Sequence, residues 1–132
     1  MKSTATATFK VTGWDERPYD EMSNGPRLTR ATVTKTFEGE VEGEGSVEYL
    51  MTHLDDGGAS FVGLERVVGR VGGREGTFVL QHSGTFEDGT AHDSWFVVPG
   101  SGTGELRGLR GEGRFDSGHA EEYPFRFEYE LG

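Results

Sequence analysis

The chain has 132 residues, of which 22 are glycine, four are proline and none is cysteine. This length fits one domain, and a chain of this size buries enough surface on folding to be stable without disulfides. The absence of cysteine excludes a disulfide framework, a zinc finger and a thiol nucleophile. The net charge of −10, from 23 acidic and 13 basic residues, disfavours binding to nucleic acid or to an anionic membrane surface.

The sequence contains no run of 18 apolar residues, so no membrane-spanning helix is expected. Residues 1–11 alternate small polar and apolar side chains and lack the apolar core of a signal peptide. We therefore expect a cytoplasmic protein.

Apolar residues recur at every second position along most of the chain. The pattern is clearest in residues 4–11, 28–37 and 123–131, where threonine or charged side chains occupy the opposite face. Because successive side chains of a strand point to opposite faces, these segments are predicted to be half-buried β-strands. Further strands are predicted at residues 46–53, 59–70, 75–86, 92–98, 105–110 and 111–116. No long segment has helical periodicity, so an all-β fold is expected.

Eight or nine antiparallel strands in so short a chain fit a closed barrel or a sandwich. Glycines inside the strands, such as Gly43 and Gly63, favour the barrel, because a small barrel needs bends and close backbone contacts. Residues 13–27 contain two prolines and are predicted to be a long loop that covers an edge or a mouth. Residues 99–104 lack the lysine and hydroxyl residues that end a phosphate-binding loop, and are predicted to be a hairpin turn.

Three polar residues, Lys35, Glu65 and His82, share strand faces with apolar residues. Burial of a polar side chain costs free energy unless the side chain is paired. If these faces line a barrel, the three residues form a polar cluster in an apolar lumen. Glu48 is a further candidate whose face the neighbouring glycines leave open.

Burial raises the pKa of a carboxyl group and favours a neutral histidine. A cluster of Glu65 and His82 would therefore suit general acid–base catalysis, or stabilisation of charge that develops in a substrate. The alternative is that these residues pair with each other or with the backbone and only support the core.

No metal or cofactor is expected. The four histidines lie far apart and form no His-x-His or His-x-x-x-His pair. Residues 38–44 carry glutamate at every second position. Like charges in a row indicate a solvated outer face, and no loop supplies the spaced oxygen ligands of a calcium site.

Several motifs resemble those of an uncharacterised bacterial family, the domain-of-unknown-function family 3224. They lie in residues 9–16, 37–51, 72–84 and 95–111. The strongest is the last, which reads WFVVPGSGTGEL followed by GLRG. The resemblance implies a single small antiparallel eight-stranded β-barrel, similar in architecture to allene oxide cyclase. Barrels of that kind hold an apolar molecule in the lumen and steer its ring closure without a cofactor. No catalytic residue is carried over from the cyclase.

Three functions stay open. The first is a cofactor-free cyclase or isomerase acting on a small apolar substrate, with Glu65 and His82 as catalytic residues. Its substrate-binding residues would be Glu48, Phe61, Phe78, Gln81, Trp95 and Phe96. The second is a non-catalytic carrier of the same kind of molecule. The third is a structural or homo-oligomeric protein whose barrel is filled by side chains.

Overall fold

The computed structural model describes residues 2–21, 25–117 and 122–131. Eight antiparallel strands close into one barrel, in which each strand pairs with the next along the chain and the last pairs with the first. They are β1 (Ser3–Asp20), β2 (Arg27–Gly39), β3 (Val41–His53), β4 (Ala59–Val71), β5 (Arg74–Glu87), β6 (Thr90–Val97), β7 (Arg110–Ser117) and β8 (Tyr123–Glu130). The predicted antiparallel barrel is confirmed, and the sandwich alternative is wrong because one closed sheet contains all eight strands.

Most of the loop predicted at residues 13–27 is strand instead. β1 continues to Asp20 and pairs with β2, with register shifts between Val11 and Gly13 and between Pro18 and Asp20. Each shift breaks the two-residue alternation, which explains why the sequence pattern does not indicate a strand there. Residues 22–24 of the predicted loop lie outside the described residues.

The connection between β6 and β7, residues 98–109, closes one end of the barrel. The backbone N–H groups of Val98 and Thr103 donate to carbonyl oxygens of β5. The strand predicted at residues 105–110 is wrong, because Gly104–Leu106 form a single turn of 3-10 helix. That turn allows Leu106 and Leu109 to be fully buried. The short hairpin turn predicted at residues 99–104 is thus part of a longer loop that covers this end.

The interior next to this loop is tightly packed. Its core comprises Phe37, Val67, Val71, Phe78, Leu80, Trp95, Val97, Phe125 and Phe127, together with the two leucines of the loop. The rings of Phe78 and Phe127 are stacked, with centroids 6.2 Å apart. Gly113 is required beside Trp95, because a methyl group at this position would overlap the indole ring.

Among the residues described, no helix has the length and apolar character that a membrane crossing requires. The cytoplasmic location and the possible assembly into a homo-oligomer stay predictions.

Candidate functional site

The opposite end of the barrel contains an open pocket of about 390 Å³, lined by Gly57 of the β3–β4 turn and Gly89 of the β5–β6 turn. Its walls are mainly apolar and include Val11, Trp14, Val33, Met51, Ala59, Phe61, Phe86, Ala91, Phe115 and Tyr123. The space among the packed side chains in the other half is only about 20 Å³, room for about one water molecule. Of the two halves of the barrel interior, as far as the described residues define them, the open one has the size of a small-molecule site.

The floor of the pocket carries three polar side chains, Lys35 on β2, Tyr49 on β3 and Asp93 on β6. All three are buried, with relative exposures of 5%, 7% and 3%. Strand alternation directs them inward, because each shares a face with apolar core residues of its own strand. The three belong to a larger polar cluster that continues below the pocket through Glu65 on β4 and His82 on β5.

His82 lies between two carboxylates. Its Nε2 is 2.6 Å from Oε1 of Glu65, and its Nδ1 is 2.8 Å from Oδ2 of Asp93. The Nζ atom of Lys35 is 3.4 Å from the same Glu65 oxygen and donates to the Tyr49 hydroxyl at 3.4 Å. The Lys35 ammonium also lies 4.8 Å from the centroid of the Phe9 ring, within the range of a cation–π interaction.

The pKa values of His82 and Glu65 shift in the directions opposite to those expected from burial alone. Burial lowers the pKa of His82, but the hydrogen bonds to Asp93 and Glu65 raise it more, so the net pKa is above its ordinary value. Burial also raises the pKa of Glu65, yet attraction by Lys35 and the hydrogen bond from His82 outweigh it, so the net pKa is lowered. The raised glutamate pKa and the lowered histidine pKa expected from burial are therefore wrong in direction. The physical reason is that each buried charge has an opposite charge next to it.

Tyr49 keeps its proton at neutral pH. Burial raises the pKa of its hydroxyl well above the ordinary value, and the negative charges of Asp93 and Glu65 raise it further. The hydroxyl accepts a hydrogen bond from Lys35, and Tyr49 is one of the residues that line the pocket.

Two buried carboxylate oxygens, Oε2 of Glu65 and Oδ1 of Asp93, have no hydrogen-bond partner within the described part of the chain. The Glu65 oxygen lies against Gly45, where a methyl group would overlap it, so it faces β3. Asp93, in contrast, lines the pocket. A buried acceptor without a donor costs about 1–3 kcal/mol, and neither oxygen is accessible to solvent.

The site residues predicted from the sequence lie in three places: the pocket, the packed half of the interior and the outer face. Phe61 lines the pocket, and its substrate-binding role stays a prediction. Glu65, Phe78, His82 and Trp95 are also inside the barrel, but they lie in the packed half and do not line the pocket.

Three of the predicted binding residues, Glu48, Gln81 and Phe96, are on the outer face and exposed. Their expected location in the lumen is wrong, because each is the chain neighbour of an inward residue and alternation turns it outward. Trp95 and Phe96, for example, are adjacent in β6, so only one of them can point into the lumen. Glu48 accepts a hydrogen bond from Thr32 Oγ1 at 2.6 Å on this outer surface.

Asp93 and Tyr49 were missed by sequence reasoning. Asp93 alternates with Trp95 and Val97 on β6, so the same test that selected Glu65, a polar residue on an apolar face, would have found it. Tyr49 resembles an ordinary core aromatic residue, and only its hydrogen bond to Lys35 distinguishes it.

A second polar group at the rim of the pocket was missed as well. Glu16 Oε2 is 2.6 Å from Nε2 of His53 and accepts a hydrogen bond from Thr29 Oγ1 at 2.7 Å. Burial raises the pKa of Glu16, but its hydrogen bonds with Thr29 and His53 outweigh that effect, so the net pKa is lowered. These contacts tie the far end of β1 to β2 and β3. The register shift in β1 hides the inward direction of Glu16 from the sequence pattern.

Within the described residues, no group of three or more histidine, aspartate or glutamate side chains is arranged to hold a metal ion. In the buried cluster, both ring nitrogens of His82 are hydrogen-bonded to carboxylates. Ring nitrogens engaged in this way are not open to a metal ion. His119 lies outside the described residues.

Comparison with known proteins identifies a family without an assigned activity. The sequence matches the family of proteins of unknown function DUF3224 over residues 5–129. A crystal structure of a protein with unknown function from the DUF3224 family of Shewanella oneidensis MR-1 is 33% identical, with a TM-score of 0.82. The match covers 100% of this chain and 99% of that one. No functionally curated protein matches the chain. The likeness to allene oxide cyclase stays a prediction, and the chain belongs to the DUF3224 family.

Proposed function

We propose that this barrel binds a small, mainly apolar molecule in its open pocket. The observation that carries the proposal is an apolar pocket of about 390 Å³ with a polar floor, in a barrel whose other half is filled. Apolar walls favour transfer of an apolar ligand from water, and a few buried polar groups fix its orientation. A structural barrel filled by side chains throughout would not contain a pocket of this size.

Catalysis on the bound molecule is a second candidate function, and a cofactor-free isomerase or cyclase is its form. The observation that favours it is the presence of two donors, Lys35 and Tyr49, on the same floor as the carboxylate of Asp93. Donors of this kind stabilise an oxyanion, and a carboxylate accepts a proton. Glu65 and His82 do not line the pocket. In this mechanism Glu65 positions Lys35 and His82 positions Asp93, and neither contacts the substrate.

Binding is tested with N-phenyl-1-naphthylamine, a neutral apolar probe whose fluorescence increases in an apolar site. Ala91→Leu fills part of the pocket, whereas Ser60→Leu adds similar apolar bulk on the outer face of β4. We expect saturable 1:1 binding to the wild type and to Ser60→Leu, and binding at least about fivefold weaker to Ala91→Leu. A wild type without saturable binding, or equal affinities for the two leucine variants, would refute the proposal.

Native mass spectrometry of freshly purified protein, followed by solvent extraction, separates the two candidate functions. An extracted molecule is incubated with the wild type and with Asp93→Asn. Turnover by the wild type alone would support the enzyme, whereas recovery of the unchanged molecule from both proteins would support a carrier.

A further inference from the structure

We infer that the outer face of β3 and β4 is the contact surface of a symmetric dimer, in which a second copy of this chain packs on an outer patch formed by Leu50, Val62 and Leu64. The inference concerns the outside of the barrel and does not depend on the proposed binding function. Three observations lead to it: an exposed apolar patch on one side of the barrel, a sheet without a free edge, and charges arranged to fit a second copy.

The outer patch is contiguous. Leu50 of β3 pairs directly with Val62 of β4, and Leu64 is the next outward residue on β4. Their relative exposures are 49%, 52% and 55%. With neighbours that include Arg30 and Glu48, they line a shallow depression in the surface. Within the described residues, β2, β7 and β8 expose no large apolar side chain. Adjacent apolar side chains exposed on one side of a barrel are typical of a contact surface.

The sheet formed by the eight described strands has no free edge, because β1 pairs with β8. A second copy therefore cannot extend the sheet by strand pairing, and contact between copies requires a face. A stable interface buries about 800 Å² on each partner. That area is about a tenth of the 8043 Å² accessible surface of this chain. The outer patch supplies the apolar centre of such an interface, and the polar residues around it supply the rim.

The charges beside the outer patch fit a two-fold axis. Arg30 is level with Leu50 and Val62 across the strands, whereas Glu48 is level with Leu64. An axis that runs across the strands between these two levels places Val62 of each copy on Leu64 of the other. The same axis brings Arg30 of each copy beside Glu48 of the other. Opposite charges therefore meet twice, once on each side of the symmetric contact.

A second copy fits this surface better than a strongly charged partner does. The chain has a net charge of −10, but Arg30 and Arg66 outnumber Glu48 around the outer patch, so two copies do not repel each other there. A basic partner would be attracted more strongly to the other end of β3, where Glu42 and Glu44 are exposed. A polyanion would be repelled by the chain as a whole.

Sedimentation equilibrium tests the dimer, because association doubles the mass of 14.4 kDa. We expect the wild type to dimerise with a Kd of about 100 μM or lower. Val62→Glu should raise the Kd at least about tenfold, because a symmetric interface contains the added carboxylate twice.

Val68→Glu is the matched control and should leave the Kd unchanged. Val68 is on the same face of the same strand and is 54% exposed, against 52% for Val62. It lies about 20 Å further along the strand, outside the outer patch. Urea unfolding curves confirm that both variants fold.

Reversal of the two rim charges tests the two-fold axis. Arg30→Glu and Glu48→Arg should each raise the Kd about fivefold or more, because like charges then meet on both sides of the contact. The double variant Arg30→Glu/Glu48→Arg exchanges the two charges in both copies. It should restore the Kd to within about twofold of the wild type.

Three results would overturn the inference. The first is a wild type that remains monomeric at concentrations up to about 1 mM. The second is an equal Kd for Val62→Glu and Val68→Glu, which would place the contact elsewhere on the barrel. The third is a double charge variant that dimerises as weakly as the single variants, which would exclude the reciprocal pairing and with it the symmetric dimer.

Discussion

At the closed end of the barrel, Phe78, Phe127 and Trp95 pack ring against ring and leave about 20 Å³ free. At the open end, Phe61 and Phe86 line a pocket of about 390 Å³. The same eight strands support both arrangements, and both interiors are rich in aromatic residues. The free space therefore depends on features other than hydrophobicity.

Two features account for the difference between the halves. The closed end is covered by residues 98–109, which place Leu106 and Leu109 on the core. Among the described residues, the open end has the short turns at residues 54–58 and 88–89. A barrel of eight strands is just wide enough to be filled by side chains, so the loop at the closed end, which adds two leucines to the core, accounts for the filling of that half.

The largest expected effect is on the packing of the closed end. Phe127→Ala should lower the free energy of unfolding by about 3–5 kcal/mol, because a nearly inaccessible ring leaves a cavity. Phe86→Ala removes the same atoms from a pocket wall that is already partly exposed, and should cost less than about 2 kcal/mol. Urea unfolding of both variants measures the difference. Equal losses would mean that the two halves are packed alike.

The charged cluster between the halves is the next test. Lys35→Met removes a buried cation from the cluster and should lower the free energy of unfolding by about 3 kcal/mol, since a buried carboxylate loses its partner. Arg30→Met breaks the exposed ion pair with Glu48 and should cost less than about 1 kcal/mol. If both variants lose the same amount in urea unfolding, the cluster contributes no more than a surface pair.

The pH dependence of stability tests the protonation of the cluster. Because the folded state raises the pKa of His82, its contribution is full below the unfolded value of about 6.5 and is lost as pH rises through the folded pKa. Glu65 has a lowered pKa, so its contribution is present above about pH 4.3 and is lost as pH falls through its folded pKa.

Urea unfolding from about pH 5.5 to about pH 9, a range that includes the unfolded imidazole pKa, should show the free energy of unfolding of the wild type falling as pH rises. His82→Gln should remove most of this decline. His92→Gln, which changes an exposed histidine paired with Asp116, should keep it. Parallel curves for the wild type and His82→Gln would mean that His82 is not the protonated partner of the two carboxylates.

The smallest effects are expected on the outer face. Phe96→Ser should change the free energy of unfolding by about 0.5 kcal/mol or less, as exposed substitutions usually do, and should leave binding of N-phenyl-1-naphthylamine unchanged. Phe61→Ser, in the pocket wall, should weaken binding of this probe. A loss of binding in Phe96→Ser would place the site outside the barrel.

Parts of the candidate site could be read from the alternation of residues. Lys35, Glu65 and His82 stand out because each is a polar residue on an apolar face, and all three are indeed buried and in contact. Their pKa directions could not be obtained in the same way. A pKa depends on neighbouring charges within a few ångströms, and those neighbours come from other strands.

The sequence by itself determined the all-β class, the direction of most side chains and the buried position of three polar residues, because alternation is a local property of a strand. The tertiary structure alone decided that Tyr49 belongs to the cluster, that Asp93 contacts His82, and that, among the described residues, one half is filled while the other contains a pocket. These outcomes depend on the register between strands that are distant in sequence and on where residues 98–109 fold back. Such contacts are set by packing of the closed barrel, which no local pattern encodes.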